Sequence, residues 1–343
     1  ATSAPQSETG DRLTRLLKPR LLAQLNDLEG GQITLIEGDQ SHTLGRGGPL
    51  SVTVVVQRAQ AWRRLALGGT VGAAEAYMDG DWEADDLVGL TRLFAANMER
   101  VNGEVENGSA RLGRWLLTAA YALQRNTQRG ARRNISAHYD LGNDLFATFL
   151  DTQHWMYSSA VFPHPEASLE EASTHKLDVM LDKLDVGPDN HLLEIGTGWG
   201  GLAIHAAKSR GCRVTTTTIS DEQYAHTAKR IEEEGLGERI TLLKEDYRAL
   251  KGRYDRLISV EMIEAVGHQY LNTYLETLDR LLTDDGMVML QAITIRDQRF
   301  EAAKREMDFI KRYIFPGGFL PSHRAILDGM ARHTSLNVLS LDE

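Results

Sequence analysis

The chain has 343 residues, of which 42% are hydrophobic and 25% charged, a composition typical of a globular protein long enough for two domains. Its net charge of −10 argues against general attraction to nucleic acid or anionic lipid. The single cysteine, Cys212, excludes an internal disulfide and a cysteine metal cluster and suits a reducing cytoplasm. The eleven histidines show no paired ligand spacing, which argues against metal catalysis. Residues 1–12 lack the apolar core of a signal peptide, and no apolar run approaches the about 20 residues that span a bilayer.

The N-terminal third is predicted to combine short strands with helices. Residues 32–37 and 50–56 read as strands on either side of a glycine-rich turn at 45–49. Helical patterns then run to about residue 125, broken at 68–69 and in 103–108. We therefore expect a smaller α+β domain over residues 1–125.

Residues 111–133 depart from the acidic average. They contain six arginines and no acid, around the apolar stretch 115–123. An apolar helix with basic flanks is typical of a helix that lies at a membrane surface. An ordinary linker helix between two domains, reaching about residue 135, explains the same pattern, and the sequence leaves both readings open.

From residue 190 onward the pattern changes to alternating strands and helices. Strands are predicted at 191–195, 212–219, 239–243, 254–260 and 286–295, and helices at 200–209, 221–234 and 268–282. Such alternation implies a parallel sheet with crossover helices, and ligands then lie at the carboxyl ends of the strands. Residues 338–341 are expected to form a further strand, and the last strand of the sheet is expected to lie beyond Glu343, so that the sheet is truncated.

A glycine-rich loop follows the first of these strands. It reads Glu-Ile-Gly-Thr-Gly-Trp-Gly-Gly over residues 194–201. Dinucleotide-binding loops space their glycines as G-x-G-x-x-G, whereas this loop has Glu-x-Gly-x-Gly-x-Gly. The pattern resembles the first motif of S-adenosylmethionine-dependent methyltransferases, and an acid suits a cofactor that carries an ammonium and a sulfonium but no pyrophosphate. A purely structural strand-to-helix turn is the alternative.

Four further segments make a family resemblance specific. They are 138–146 (His-Tyr-Asp-Leu-Gly-Asn-Asp-Leu-Phe), 157–160 (Tyr-Ser-Ser-Ala), 246–248 (Asp-Tyr-Arg) before 254–256, and 313–322. Together with the glycine loop they resemble the cyclopropane-fatty-acyl-phospholipid synthase family, which includes mycolic acid cyclopropane synthases and related fatty-acid methyltransferases. The resemblance covers about 130–325 closely and 69–80 more loosely.

The resemblance implies a Rossmann-like class I methyltransferase domain over 136–343, with residues 1–125 as a lipid-side domain. It implies methyl transfer from S-adenosylmethionine to the double bond of an unsaturated phospholipid acyl chain. The product would be a cyclopropane or a methyl- or methylene-branched chain. The enzyme would be cytoplasmic and bind peripherally to the inner face of the cell membrane. A homodimer and a separate reductase partner are both left open.

The resemblance also assigns cofactor residues. Tyr157 could instead be a core residue, and Asp246 could simply cap a turn. The assigned residues are Glu194, Gly196, Gly198 and Gly200 in the loop; Tyr157 and Ser158 near the methionine end; Thr218, Ile219 and Gln223 near the ribose; and Asp246 and Tyr247 near the adenine.

The expected chemistry sets clear requirements. An alkene is a weak nucleophile, and methylating it creates a carbocation, so the site must align the alkene, exclude water and supply a base. In the family that base is thought to be a bound bicarbonate. It is held by the cysteine of a Tyr-Ser-Cys-Ala motif and by the glycine and glutamate of a Gly-x-Phe-Glu-His motif. A histidine on the next strand and a downstream tyrosine complete the family's site.

This sequence keeps only part of that set. Ser159 stands at the cysteine position, Gln291 at the histidine position and Glu261 at the glycine position, whereas Glu264 is retained. The simplest account is that the Glu261 carboxylate replaces bicarbonate, which makes bound bicarbonate doubtful here. Alternatively, Glu261 points to solvent or pairs with an arginine. Two carboxylates so close should raise the pKa of one, so that it donates a hydrogen bond to the other.

Tyr139, in the segment 138–146, is a further candidate catalytic residue, and the family's downstream tyrosine is expected beyond Glu343. Two other functions are kept as alternatives. One is a small-molecule methyltransferase, against which the N-terminal region and the basic segment argue. The other is a catalytically impaired cofactor-binding subunit of a lipid-modifying complex, motivated by Ser159, Ala265 and Gln291.

Overall fold

The computed structural model describes residues 12–97, 126–127, 130–131, 134–135 and 142–343. The chain divides into two compact units, one of residues 1–120 with 307–309 and the other of residues 121–306 with 310–343. The predicted boundaries at 125 and 136 and nearly all of the basic segment 111–133 lie outside the described residues. Within the described ranges, no helix has both the length and the apolar character needed to cross a membrane.

The described part of the N-terminal unit contains a four-stranded sheet and three helices. In chain order these are α1 (Arg12–Asn26), β1 (Gly31–Glu37), β2 (Gln40–Gly47), β3 (Leu50–Val56), α2 (Gln60–Met78), β4 (Trp82–Ala84) and α3 (Leu87–Ala96). The strand order is β2-β1-β3-β4, with β1 and β3 parallel and the other neighbours antiparallel. Alternate apolar residues of β1 and β3 are buried with Trp62 and Leu93, because side chains on a strand alternate between faces.

Only the end of the glycine-rich segment 45–49 is the turn that the sequence predicted. Residues 48–49 connect β2 to β3, whereas residues 40–47 form β2, and a further tight turn lies earlier, around Gly38. Gly45 has φ +100°, and a Cβ placed there would lie 2.7 Å from the carbonyl oxygen of Gly31. The glycine therefore allows close approach of β2 to β1, a role that glycine in a strand commonly has. The predicted helix break at 68–69 is present as a kink at Gly69 within α2.

The C-terminal unit alternates strands and helices as predicted. Its elements are α4 (Asn143–Phe146), α5 (Leu169–Lys183), β5 (His191–Ile195), α6 (Gly201–Arg210), β6 (Arg213–Thr217), α7 (Asp221–Glu233), β7 (Ile240–Leu243), β8 (Tyr254–Val260), α8 (Leu271–Leu281), β9 (Leu282–Gln291), α9 (Asp297–Ala303) and α10 (His323–His333). Short 3-10 helices lie at Tyr247–Ala249, Ile263–Ala265 and His268–Tyr270, and a π-helical turn at Ile310–Ile314.

The five strands described in this unit are all parallel, in the order β7-β6-β5-β8-β9. The central strand β5 is buried on both faces, which explains its continuous apolar run. Leu192 packs with α5 and α6 on one face, and Leu193 packs with α8 on the other. The chain order of the strands reverses on either side of β5, and α/β sheets bind ligands at the carboxyl ends of the strands at such a point.

The strand predicted at 338–341 is wrong. Residues 334–343 are irregular, and Leu339 is 78% exposed. In the described part of the sheet, β9 is the edge strand. A short apolar run forms a strand only where its backbone pairs with a neighbouring strand, and no described strand pairs with residues 338–341.

Candidate active site

The glycine loop links the end of β5 to the start of α6. Its first two amides, at Gly196 and Thr197, donate to the Thr217 carbonyl oxygen at 3.1 and 2.9 Å, which ties the loop to the end of β6. Gly196, Gly198 and Gly200 have φ of 98°, 53° and 85°. These left-handed values favour glycine, so the spacing seen in the sequence has a backbone reason.

One side of this loop is open. A Cβ added at Gly198 would meet no atom within 4 Å, whereas one at Gly200 would lie 2.8 Å from Thr227 and one at Gly201 would lie 2.2 Å from the His154 carbonyl oxygen. The Thr197 hydroxyl is buried without a hydrogen-bond partner in the described part of the chain. An open glycine surface beside a polar atom in need of a partner fits a bound small molecule with polar groups.

Glu194 lies on β5 just before the loop and is 4% exposed. Its Oε2 accepts a hydrogen bond from Thr216 Oγ1 at 2.6 Å. Burial raises the pKa of Glu194 to about 8, which favours the protonated form near neutral pH. The structure thus places this carboxyl between two strands, and its role as a cofactor ligand stays a prediction.

The residues predicted near the ribose lie at the end of β6. Thr218 Oγ1 donates to Gln223 Oε1 at 2.8 Å and accepts from the Ser220 amide at 3.1 Å. Ser220 caps α7 by accepting from the Gln223 amide at 3.2 Å. Ile219 lies half-buried between Thr218 and Ser220. The fold therefore brings Thr218 and Gln223 into direct contact, and their role near the ribose stays a prediction.

The residues predicted near the adenine lie after β7. The Asp246 carboxylate accepts from Arg248 Nε at 2.7 Å, from Nη2 at 2.6 Å and from the Arg248 amide at 3.0 Å. Asp246 thus caps the 3-10 helix Tyr247–Ala249, as the alternative reading expected. Tyr247 is buried, which raises its pKa to about 12, and the Arg248 guanidinium lies 5.2 Å from the centre of its ring. Adenine contacts by this pair stay a prediction.

Aromatic rings bring the segment 142–149, the loop and residue 157 together. The Tyr157 ring centre lies 5.3 Å from that of Phe146, 6.0 Å from Phe149 and 6.3 Å from Trp199. Trp199, the buried aromatic residue of the loop, donates its indole N–H to Asn143 Oδ1 at 2.8 Å. The segment 142–149 and Tyr157 therefore lie against the glycine loop, which follows the carboxyl end of β5. Tyr139 lies outside the described residues.

Ser159, Glu261 and Gln291 form a hydrogen-bonded cluster at the carboxyl ends of β8 and β9. Glu261 Oε1 accepts from the Ser159 amide at 2.9 Å, from Ser159 Oγ at 3.2 Å and from Gln291 Nε2 at 2.8 Å. Gln291 Nε2 also lies 2.9 Å from Ser159 Oγ. These three positions are among those at which the sequence departs from the family motifs that it resembles, and their side chains contact one another. Glu261 is therefore held within the cluster, and in the part of the chain that the structure describes it pairs with no arginine.

Glu261 also has an unusual backbone conformation. Its φ is +47°, and among non-glycine residues of the described chain only Trp155 and Asp185 share a positive φ. A bulky residue in this region costs about 1 kcal/mol or more relative to glycine. The glycine of the family motif is thus a conformational match for this position, and the carboxylate is retained here despite the strain.

Glu264 lies one turn further on. Its Oε1 accepts from the Ile293 amide at 2.5 Å, and its Oε2 is buried without a partner among the described atoms. Burial raises the pKa of Glu264 to about 7, and the nearby Glu261 charge adds a smaller increase. One carboxyl of the pair is thus raised in pKa, as predicted, but burial is the main cause. No hydrogen bond joins the two carboxyls in the described structure.

Sequence reasoning missed Lys176 on α5. It is 1% exposed, and its Nζ donates to Ser158 Oγ at 2.6 Å. Burial lowers the pKa of Lys176 to about 8. The signal was available in the sequence, because Lys176 falls on the stripe of Ala172, Leu177 and Met180 that the helix buries, and lysine is rarely found there.

In the residues that the structure describes, no group of three or more His, Cys, Asp or Glu could hold a metal ion.

Comparison with known proteins gives consistent matches. Residues 126–343 match the family model "Mycolic acid cyclopropane synthetase". The chain is 37% identical over 319 residues to tuberculostearic acid methyltransferase UfaA1 of Mycobacterium tuberculosis, covering 90% of this chain and 72% of the relative. It is 34% identical over 288 residues to the cyclopropane-fatty-acyl-phospholipid synthase of Escherichia coli, covering 83% and 71%.

Solved structures agree in fold. The cyclopropane synthase MmaA2 of Mycobacterium tuberculosis is 28% identical with a TM-score of 0.56, over 61% of this chain and 76% of that one. The mycolic acid cyclopropane synthase CmaA1, complexed with SAH and CTAB, is 29% identical with the same score and coverage. The predicted Rossmann-like class I methyltransferase fold is confirmed, and the chain belongs to the mycolic acid cyclopropane synthetase family.

Proposed function

We propose that this protein transfers the methyl group of S-adenosylmethionine to the double bond of an unsaturated fatty acyl chain of a phospholipid. The observation that carries the proposal is the cluster of Ser159, Glu261 and Gln291 beside the glycine loop. The cluster holds a carboxylate at the carboxyl ends of the strands, where α/β sheets bind ligands. Relatives named tuberculostearic acid methyltransferase and cyclopropane-fatty-acyl-phospholipid synthase support this reaction.

The cofactor would be held by the open side of the glycine loop, by Tyr157 and Ser158, and by Thr218 with Gln223. Bound S-adenosylmethionine supplies an electrophilic methyl group. The open surface at Gly198 and the unpartnered Thr197 hydroxyl are consistent with such a ligand. The SAH complex of the related CmaA1 supports this choice of cofactor.

Glu261 is the best candidate for the base. When an alkene has been methylated, the cation left on the chain must lose a proton, and a nearby side chain must accept it. Within the cluster, a serine hydroxyl and a glutamine amide cannot take up that proton, whereas a carboxylate can. Oε1 of Glu261 is held by three hydrogen bonds from two residues, which leaves Oε2 to accept the proton.

The same contacts argue against a bound bicarbonate. Ser159 and Gln291 occupy the positions that would help to hold the anion in the family, and both already bond to the Glu261 carboxylate. A tethered carboxylate in that place makes a diffusible anion unnecessary. The position of the Glu261 carboxylate then decides which carbon loses the proton, and with it the product. Loss of a proton from the new methyl group closes a cyclopropane, and loss from an adjacent chain carbon leaves a methylene-branched or branched unsaturated chain.

An apolar substrate fits the surroundings of the cluster. Exposed hydrophobic side chains lie on the segments that carry site residues, with exposed fractions of 44–53%; they are Leu145, Phe149, Val161, Phe162 and Ile293. Exposed apolar groups gathered at a site commonly mark the binding of an apolar ligand. Peripheral attachment to the inner face of the cell membrane through residues 111–133 is part of the proposal and depends on the sequence alone.

The test is lipid analysis of a host that expresses the full-length gene and has unsaturated phospholipids but no such enzyme of its own. We expect mass spectrometry to find acyl chains that have gained one CH₂, and proton magnetic resonance then separates cyclopropane from methylene products. Hosts expressing Glu261→Gln or Gly198→Val serve as controls. Unchanged lipids, with a protein that still binds S-adenosylmethionine, would instead support a small-molecule methyltransferase or an impaired subunit.

A further inference from the structure

Lys176 is a buried cation with no ion-pair partner among the residues that the structure describes. Its side chain is 1% exposed, and its Nζ has one hydrogen-bond partner among the described atoms, the neutral Ser158 hydroxyl. No salt bridge of the described chain includes Lys176. Burying an ammonium without a counter-ion costs folding free energy. A bound ligand that carries a negative charge would offset that cost.

Two carboxylates, Glu261 and Asp151, attract the Lys176 ammonium and raise its pKa. Each of them accepts its hydrogen bonds from other groups. Asp151 accepts from the His154 amide at 2.5 Å and from the Met156 amide at 2.8 Å, which fixes the turn before Tyr157. Glu261 accepts from Ser159 and Gln291. Both attract the lysine at a distance, but neither contacts its ammonium.

The contact with Lys176 fixes the direction of the Ser158 hydroxyl. A lysine ammonium can only donate hydrogen bonds, so Ser158 Oγ must accept this one. The single proton of Ser158 Oγ is therefore available to an acceptor elsewhere, and no described residue accepts it. Ser158 is only half-buried, whereas Lys176 is buried. The arrangement makes Ser158 an oriented donor with a positive charge beside it.

This donor lies within the cofactor site. On one side, the ring of Tyr157 packs against Trp199 of the glycine loop, with ring centres 6.3 Å apart. On the other side, Ser159 bonds to Glu261 at the end of β8. S-adenosylmethionine carries an ammonium, a sulfonium and one carboxylate. A buried cation would repel the first two groups and attract only the third.

We propose that Lys176 is a positioning residue that turns the Ser158 hydroxyl toward the α-carboxylate of the bound cofactor and supplies the positive charge which that carboxylate faces. This inference rests on the proposed cofactor and names the side chains that recognise its anionic end. A purely structural role for Lys176, in which it only anchors residues 157–159 to α5, is the competing explanation.

The two explanations differ in ligand selectivity. The probes are S-adenosylhomocysteine and its decarboxylated analogue, which lacks only the α-carboxylate, and the readout is affinity by titration calorimetry. We expect Lys176→Met to weaken S-adenosylhomocysteine binding by about 10- to 100-fold, the size of a charge-assisted hydrogen bond, and to leave the analogue's affinity unchanged or improved. A structural role predicts equal loss for both ligands. Equal loss, or no loss, would overturn the proposal.

Lys183→Met is the matched control, because Lys183 lies on the same helix but is exposed and pairs with Asp342. It should leave both affinities unchanged. Thermal unfolding checks that Lys176→Met folds, and methionine is a suitable replacement because apolar substitutes for buried charges are often tolerated. If that variant does not fold, Ser158→Ala decides, since removing the oriented hydroxyl should abolish the same selectivity. Failure of the unmutated protein to bind either ligand would instead refute the cofactor assignment.

Discussion

Replacement of Glu261 by glutamine tests the proposed base while it preserves the local structure. Glutamine has the same shape and keeps one carbonyl oxygen. The Ser159 amide, the Ser159 hydroxyl and Gln291 Nε2 all donate to Oε1, so the variant amide should be held with its oxygen in that position. An NH₂ group there would face two N–H donors. The variant therefore differs mainly in its inability to accept a proton.

The expected loss follows from the role of a general base. Such groups contribute about 10²- to 10⁴-fold to rate, which corresponds to roughly 3–5 kcal/mol of transition-state stabilisation. Cofactor affinity should stay within about threefold of the unmutated value, because no predicted cofactor contact is removed. Glu261→Gly should lose the base but relieve the φ of +47°. It should regain turnover when bicarbonate is added, since it restores the glycine of the family motif.

The assay is turnover of S-adenosylmethionine on vesicles of unsaturated phospholipid, with and without added bicarbonate. Exposed Glu232 on α7 provides a matched control, and Glu232→Gln should retain full activity. The reasoning fails if Glu261→Gln retains full turnover. It also fails if the unmutated protein depends strictly on bicarbonate, because the tethered carboxylate would then not be the base.

Three further outcomes are expected. Gly198→Val should abolish cofactor binding in calorimetry by filling the open side of the loop, whereas Gly235→Val, at a matching φ of +66° with equally open space, should not. Burial raises the pKa of Glu264 from 4.5 to about 7, so its protonated form stabilises the fold below pH 4.5. Urea denaturation measures the unfolding free energy of the unmutated protein and of Glu264→Gln. The difference between the two should fall by at most about 3 kcal/mol as the pH rises from 4.5 to 7. A difference that stays constant with pH would contradict the raised pKa of Glu264. Glutamine replacement of four arginines, Arg125, Arg129, Arg132 and Arg133, should weaken co-sedimentation with anionic vesicles and its salt dependence. Unchanged co-sedimentation would show that residues 111–133 are only a linker.

The sequence by itself determined the parallel α/β domain and the glycine loop. Both depend on local properties: buried parallel strands require continuous apolar runs, and the loop backbone at residues 196, 198 and 200 requires positive φ. The departures at Ser159, Glu261 and Gln291 were also visible as single letters. What they do together was not visible, because Ser159 and Glu261 lie 102 positions apart in the chain.

Only the tertiary structure decided which partners these groups meet. It assigned 40–47 to a strand that pairs with β1 and left 338–341 irregular, because a strand forms only where its backbone pairs with a neighbour. It joined Asp246 to Arg248 and set Lys176 against Ser158. The raised pKa of Glu264 likewise comes mainly from burial, which no spacing of charges along the chain reveals. Hydrogen bonding and desolvation depend on the atoms that folding brings within a few ångströms, and residue order encodes those atoms only through the whole fold.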